Sequence, residues 1–359
     1  MTWRGFLRGP LDGRTVARLV AGVAVVGALT AGAVVGFGLY NVSAKAGHWP
    51  GVSWVLHSTF RNAVALRAHA EPPADLDSAD MIALGARHFD SACRFCHAAP
   101  GEERSATVRA MVPAPPPIAE AVTHWEADEL HWIVHNGIKM SGMPAWPAER
   151  DDDVWPVVAF LRAVPEMNGT DYARLTRKPD DNACLMCHGT DGATDNAHIP
   201  RLDILSETYI ATSLHAYAIG SRDSGIMAEA VSDLTDADID VLAAALSAVS
   251  PQGQPGSRDA LAQEGQTLAT ARGTVDVPAC RACHGPWPEP LNTAFPSLAG
   301  QHAPYLEAQL KLWRDGNRGG GTASRLMHQA ARDLTDEQIT RLAAYYASLA
   351  PAKLNDTSN

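Results

Sequence analysis

Aromatic side chains make up only 6% of this sequence, and runs of alternating β-branched residues are few. Both scarcities argue against a large sheet, whose pleated faces draw on such residues. Basic residues are also in deficit, with 29 Lys and Arg against 40 Asp and Glu and a net charge of −11. No basic stripe stands out, so nucleic acid is not an expected partner. Cysteine is limited to six residues, and all six fall within three short motifs. None is left over to complete a four-ligand zinc site. A thioredoxin-like dithiol would need a βαβ context that is absent.

What is present points to helices. With 24 prolines, 29 glycines and 46% apolar residues, the chain reads as short helices joined by many turns. Its 359 residues suit two to four domains. The expected fold class is all-α.

The N-terminus has a different composition from the rest. Residues 1–40 carry a net charge of +3 and the remainder −14. Behind Arg4, Arg8, Arg14 and Arg18 runs an uncharged stretch, Leu19–Tyr40, and the next charge is Lys45. That stretch exceeds the roughly 7–15 residues of a secretory h-region and matches the roughly 20 that span a bilayer. A retained transmembrane anchor at 19–40 is expected, with basic residues 1–18 in the cytoplasm. Ala44-Lys45-Ala46 resembles a cleavage site, so removal is the alternative. His48, Trp49 and Trp54 suit an interfacial belt, and Trp54–His69 predicts a short amphipathic helix on the membrane surface within a 41–75 juxtamembrane segment.

Three repeats follow. Cys-x-x-Cys-His occurs at Cys93–His97, Cys184–His188 and Cys280–His284. Domain-sized spacing gives units at 76–168, 169–252 and 253–352. The second and third units align beyond the motif: Tyr209, Leu214, Gly220 and Arg222 match Tyr305, Leu310, Gly316 and Arg318. Thr235 and Thr335 are N-cap candidates, with Asp238 and Gln338 three residues on, ahead of helices expected over Ile239–Val249 and Ile339–Leu349. The first unit instead has Pro113-Ala114-Pro115-Pro116-Pro117, predicting an extended loop. A helix near Trp125–His135, the loop GIKMSGMPAW and a closing helix around Val154–Val164 follow it.

Cysteines at i and i+3 with histidine at i+4 occupy one helical turn, the spacing of covalent c-type haem attachment. Cys93, Cys96, Cys184, Cys187, Cys280 and Cys283 are the expected thioether residues, and His97, His188 and His284 the iron ligands. The expected cofactor is three covalent haems c. For the opposite ligand, Met143, Met227 and Met327 each sit in a loop before a closing helix, at matching places in the three units. Met140 rivals Met143. His124, His131 and His135 could offer a nitrogen to the first haem, as could His328 to the third, but read more simply as helix positions.

With these motifs in place the chain resembles class I cytochrome c domains. The second and third units resemble the two halves of di-haem cytochromes through FPSLAGQ (Phe295–Gln301) and YLEAQLKLWRDGNR (Tyr305–Arg318). The first resembles a single-haem domain ending in GIKMSGMPAW. The resemblance implies a proline carbonyl on the other nitrogen of each ligand histidine: Pro200, Pro296 and, in the first unit, one of Pro113, Pro115, Pro116 or Pro117. In the second unit AYAIGSRDSGIM (Ala216–Met227) is four residues short of the pattern, which puts Met227 in doubt. The expected function is electron transfer on the periplasmic face of a bacterial inner membrane. A dehydrogenase or quinol-oxidising complex would be the donor, and a terminal oxidase or small cytochrome the acceptor. The alternative is the cytochrome subunit of a membrane-bound periplasmic dehydrogenase. A haem enzyme with an open iron is a third reading, disfavoured by a candidate methionine for each haem.

Overall fold

A computed structural model describes residues 12–179, 183–271, 279–285 and 295–353. Among them no strand forms; only the isolated bridges Ile138–Met143 and Arg222–Gly319 interrupt an all-helical architecture. Arg4 and Arg8 of the basic segment lie outside the described residues.

The first helix, α1 (Gly13–Gly36), is capped by Asp12, whose carboxylate accepts from Thr15 N at 2.7 Å. Its 24 residues make a rod of about 36 Å, long enough to cross a bilayer, and its mean hydropathy is 2.2. None of it is buried against the rest of the chain. It begins and ends earlier than the apolar run, because Gly38 takes φ +63° and the chain folds back, with Tyr40 bonding His48 at 2.6 Å and meeting Trp49 edge-on.

The next helix, α2 (Val52–Arg67), gives one apolar strip to protein, with Val64 and Ala68 buried against Ile133 and Phe60 packed on Trp125, while Trp54, Val55 and Leu66 stay exposed. The first unit comprises α3 (Ala79–Ala92), α4 (Ala127–Asn136) and α5 (Trp155–Ala163). Helices α3 and α5 cross at Gly85, where a Cβ would lie 1.8 Å from the carbonyl oxygen of Pro156. Only hydrogen fits there, so the backbones approach closely over a core of Phe89, Val158 and Phe160.

Next comes α6 (Gly169–Leu175), capped by Asn168. Although it falls within 169–252, its Tyr172 packs in the core of the first unit and donates to Asp90 at 2.9 Å. The second unit continues with α7 (Ala183–His188), α8 (Glu207–Ala218), α9 (Gly225–Val231) and α10 (Asp236–Ala248). Its own core is small: Ile204, Leu205, Ile210, Ala243 and Leu246.

The third unit holds α11 (Ala260–Thr270), α12 (Ala303–Arg314), α13 (Ser324–Ala331) and α14 (Asp336–Ala347). Helices α11 and α14 repeat the close crossing, here at Gly265, whose Cβ would meet the carbonyl oxygen of Arg341 at 1.9 Å. Both expected capping boxes form, at Thr235 with Asp238 and at Thr335 with Gln338.

Candidate functional site

Each Cys-x-x-Cys-His motif lies on a helical turn, in Arg94–His97, in α7 and in Arg281–His284. The ring nitrogen Nδ1 of each histidine donates to a proline carbonyl: His97 to Pro116 at 3.0 Å, His188 to Pro200 at 3.0 Å and His284 to Pro296 at 2.9 Å. That bond fixes the tautomer and leaves the Nε2 lone pair for a metal. Burial keeps all three rings below the ordinary imidazole range, hence neutral, the ligating form.

The thiols are shifted the other way. Burial pushes Cys93 up to about 12, and Cys187 and Cys280 up to about 11. Thiols held protonated in this way are poor thiolate ligands and poor redox nucleophiles. Among the described residues no group of three His, Cys, Asp or Glu side chains is arranged to hold a metal ion.

A continuous cavity of about 1780 Å³ joins the second and third units, and Leu84, Arg87, His88 and Trp155 of the first unit also line it. Cys184, Cys187 and His188 line one part of it, and Cys280, Cys283 and His284 another; Met227 and Met327 also face it. The volume exceeds the roughly 300–1,000 Å³ of a single small-ligand pocket.

Two buried arginines stand beside this cavity. Arg222 reaches across to Tyr305 Oη at 3.3 Å, and Arg318 reaches back to Tyr209 Oη at 3.2 Å and to Gln309 at 2.7 Å. Each also stacks on a ring of its own unit, Tyr217 and Trp313 respectively. Neither contacts a carboxylate among the described residues. Burial pushes the phenol of Tyr209 up, but the two guanidiniums outweigh it and bring it to about 8. Buried cations without a counter-anion are costly, so the cavity suits a ligand bearing carboxylates, as haem does. The repeat alignment marks both arginines, but it carries no sign that each would cross to the other unit.

The methionine of the first unit is placed differently. Met143 packs against the cluster of Val64, Ala68 and Ile133, and its backbone closes a small loop with Ile138. Met140 is 50% exposed. His131 donates to the carbonyl of Asp151 at 2.8 Å, so its ring is engaged there, and His135 lies 3.4 Å from the Asp151 carboxylate. His328 donates to Trp313 O at 2.7 Å. Met186, inside the second motif, is buried.

The geometry of attachment turns, proline-held histidines and a carboxylate-seeking cavity is that of a haem protein, and the comparisons agree. Residues 80–161 match the family described as "Cytochrome C oxidase, cbb3-type, subunit III", and residues 262–350 match "Cytochrome c". A "Thiosulfate dehydrogenase electron acceptor" from Thiomonas intermedia (strain K12) is 38% identical over 182 residues, covering 49% of this chain and 83% of that protein. A "Cytochrome c4" from Stutzerimonas stutzeri is 34% identical over 179 residues, 46% of this chain and 84% of the relative. Among solved structures, a cytochrome c4 of Acidithiobacillus ferrooxidans is 35% identical, with a TM-score of 0.42 over 46% of this chain and 98% of that one. The chain belongs to the cytochrome c family. Its role is haem-based electron transfer through covalently held haem c.

Proposed function

We propose that this protein carries three covalent haems c and relays electrons from a periplasmic dehydrogenase or quinol-oxidising complex to a terminal oxidase or small cytochrome. The observation that carries this reading is the threefold recurrence of one arrangement: a Cys-x-x-Cys-His turn whose histidine is held by a proline carbonyl. Cys93, Cys96, Cys184, Cys187, Cys280 and Cys283 would form the thioethers, and His97, His188 and His284 would ligate iron. Met143, Met227 and Met327 would supply the sulfur ligands; the packing of Met143 and the exposure of Met140 favour the former. Bound haem supplies reversible one-electron exchange. The chain supplies the rest: neutral, oriented imidazoles, exclusion of water from the cavity, and the Arg222 and Arg318 cations to receive haem carboxylates.

A dehydrogenase as donor, or as the enzyme to which this chain is a subunit, is supported by relatives described as thiosulfate dehydrogenase electron acceptors. Helix α1 serves as a single anchor, with the haem units at 76–168, 169–252 and 253–352 in the periplasm. A pyridine haemochrome assay on denatured full-length protein tests the core of the reading. Three haems per chain are expected, and two after replacing both Cys184 and Cys187 with Ala; one or two in the unmodified chain would overturn it.

A further inference from the structure

The methionine loop of the second unit is held from outside that unit. In the first unit, Asp153 is buried in the turn just before α5, 9% exposed. Its Oδ2 accepts from the hydroxyl of Ser224 at 3.0 Å and from the backbone N–H of Ile226 at 3.3 Å. Ser224 is the N-cap of α9, and its oxygen in turn accepts from Met227 N at 3.3 Å. A short relay therefore runs from carboxylate to hydroxyl to the backbone of Met227. Because the Ser224 proton is committed to Asp153, its lone pairs are turned toward the helix N–H.

The surrounding contacts reinforce the same placement. Glu149 N donates to the Asp223 carboxylate at 3.0 Å, and Arg150 donates to the Asp223 carbonyl at 3.2 Å. Arg150 also offsets the buried charge of Asp153 at 3.9 Å. Gly225 lies under the ring of Trp146, where a Cβ would come within 2.3 Å of Nε1. Ile226 packs against the core of the first unit. Among the described residues the matching stretch of the third unit shows none of these contacts: Arg325 stands at the place of Gly225, and Leu326, at that of Ile226, is 61% exposed.

We infer that Asp153 is a positioning residue for Met227, so that the first unit fixes the sulfur ligand of the second unit's iron through Ser224. This rests on the reading of Met227 as that ligand. It also gives a physical role to the four-residue shortening of the Ala216–Met227 segment: support that a longer loop would provide internally comes from residues 149–153 of the neighbouring unit.

The test uses full-length, haem-loaded protein and two readouts, the far-red sulfur–iron absorption band and the reduction potential of each haem. Met227→Leu comes first and should remove one haem's share of the band. If it removes nothing, the ligand reading fails and the inference falls with it. Given that loss, Asp153→Ala and Ser224→Ala should each weaken the same share and lower the potential of that haem alone. Asp153→Asn, which keeps an accepting oxygen for Ser224, should restore most of both signals. Wild-type band and potentials in Ser224→Ala and Asp153→Asn, together with an unchanged or merely unfolded Asp153→Ala, would overturn the positioning role while leaving Met227 as ligand. A uniform shift of all three potentials would overturn it too, since that marks general loosening.

Discussion

The second and third units share a motif, a capping box and a closing helix, yet they are stabilised in different ways. The third is closed by its own helix crossing at Gly265, over a core that includes Leu306, Ile339, Leu342 and Tyr346. The second has no comparable framework among the described residues. The helix ahead of its haem motif, α6, lies in the core of the first unit, and Asp153 and Trp146 of that unit hold its methionine loop. Sequence similarity between repeats thus tracks local devices such as caps and attachment turns. It does not reveal whether a repeat stands alone.

The largest effect expected from breaking this contrast is at the crossing itself. Gly265→Ala places a methyl group against the Arg341 carbonyl, and overpacking at a backbone contact should cost about 3 kcal/mol. In urea denaturation followed at each haem, the transition of the third unit should move to lower urea while that of the first stays put.

Acid should act on the opposite partner. His88, buried on α3 and meeting Trp146 edge-on at 4.8 Å, has its pKa lowered to about 4 by burial. Between about pH 6.5 and 4 the unfolded chain therefore binds more protons than the folded one, so stability falls as pH falls through that window. From pH 6.5 to 5 the loss should be on the order of 2 kcal/mol. It should appear where Trp146 presses on Gly225, disturbing the second unit before the third. His88→Phe should flatten the pH dependence; equal acid sensitivity of both units would erase the contrast.

The smallest test compares two matched side chains. Ile226→Ala removes packing against the core of the first unit and should cost about 1 kcal/mol. Leu326→Ala, at an exposed position, should stay within about 0.5 kcal/mol. Equal costs would mean that the two loops are supported alike.

Much of this is legible in the amino-acid sequence. The attachment turns follow from a five-residue spacing, and the closing helices from threonine caps and apolar periodicity, so α10 and α14 lie within a few residues of expectation. Pro200 and Pro296 followed from resemblance, whereas Pro116 could not be chosen among four prolines, because a loop's path is set by what it packs on. The inter-unit contacts were illegible for a related reason. Asp153 reads as one more acid in an acidic stretch, and only folding brings it to Ser224. Helix α2 has apolar residues that suit a membrane surface and a protein surface equally; the structure packs Val64 and Phe60 against Ile133 and Trp125 and leaves Trp54, Val55 and Leu66 exposed.

Arg222 and Arg318 also bear on mechanics. Two bodies joined at one point can still rotate in every sense, and joined at two they keep a hinge. Here the crossed arginine–tyrosine contacts supply two points. The backbone bond from Gly320 N to Ser221 O at 2.7 Å is a third. The reciprocal pair Arg201–Gln301, at 3.0 and 3.1 Å, adds a fourth on different loops. Among the described residues these contacts leave no hinge between the two parts of the cavity. With one haem in each of the two units, as proposed, electron exchange within the pair would wait on no rotational search. Thickening the solvent with glycerol should slow encounters with a redox partner and leave the internal step at its original speed.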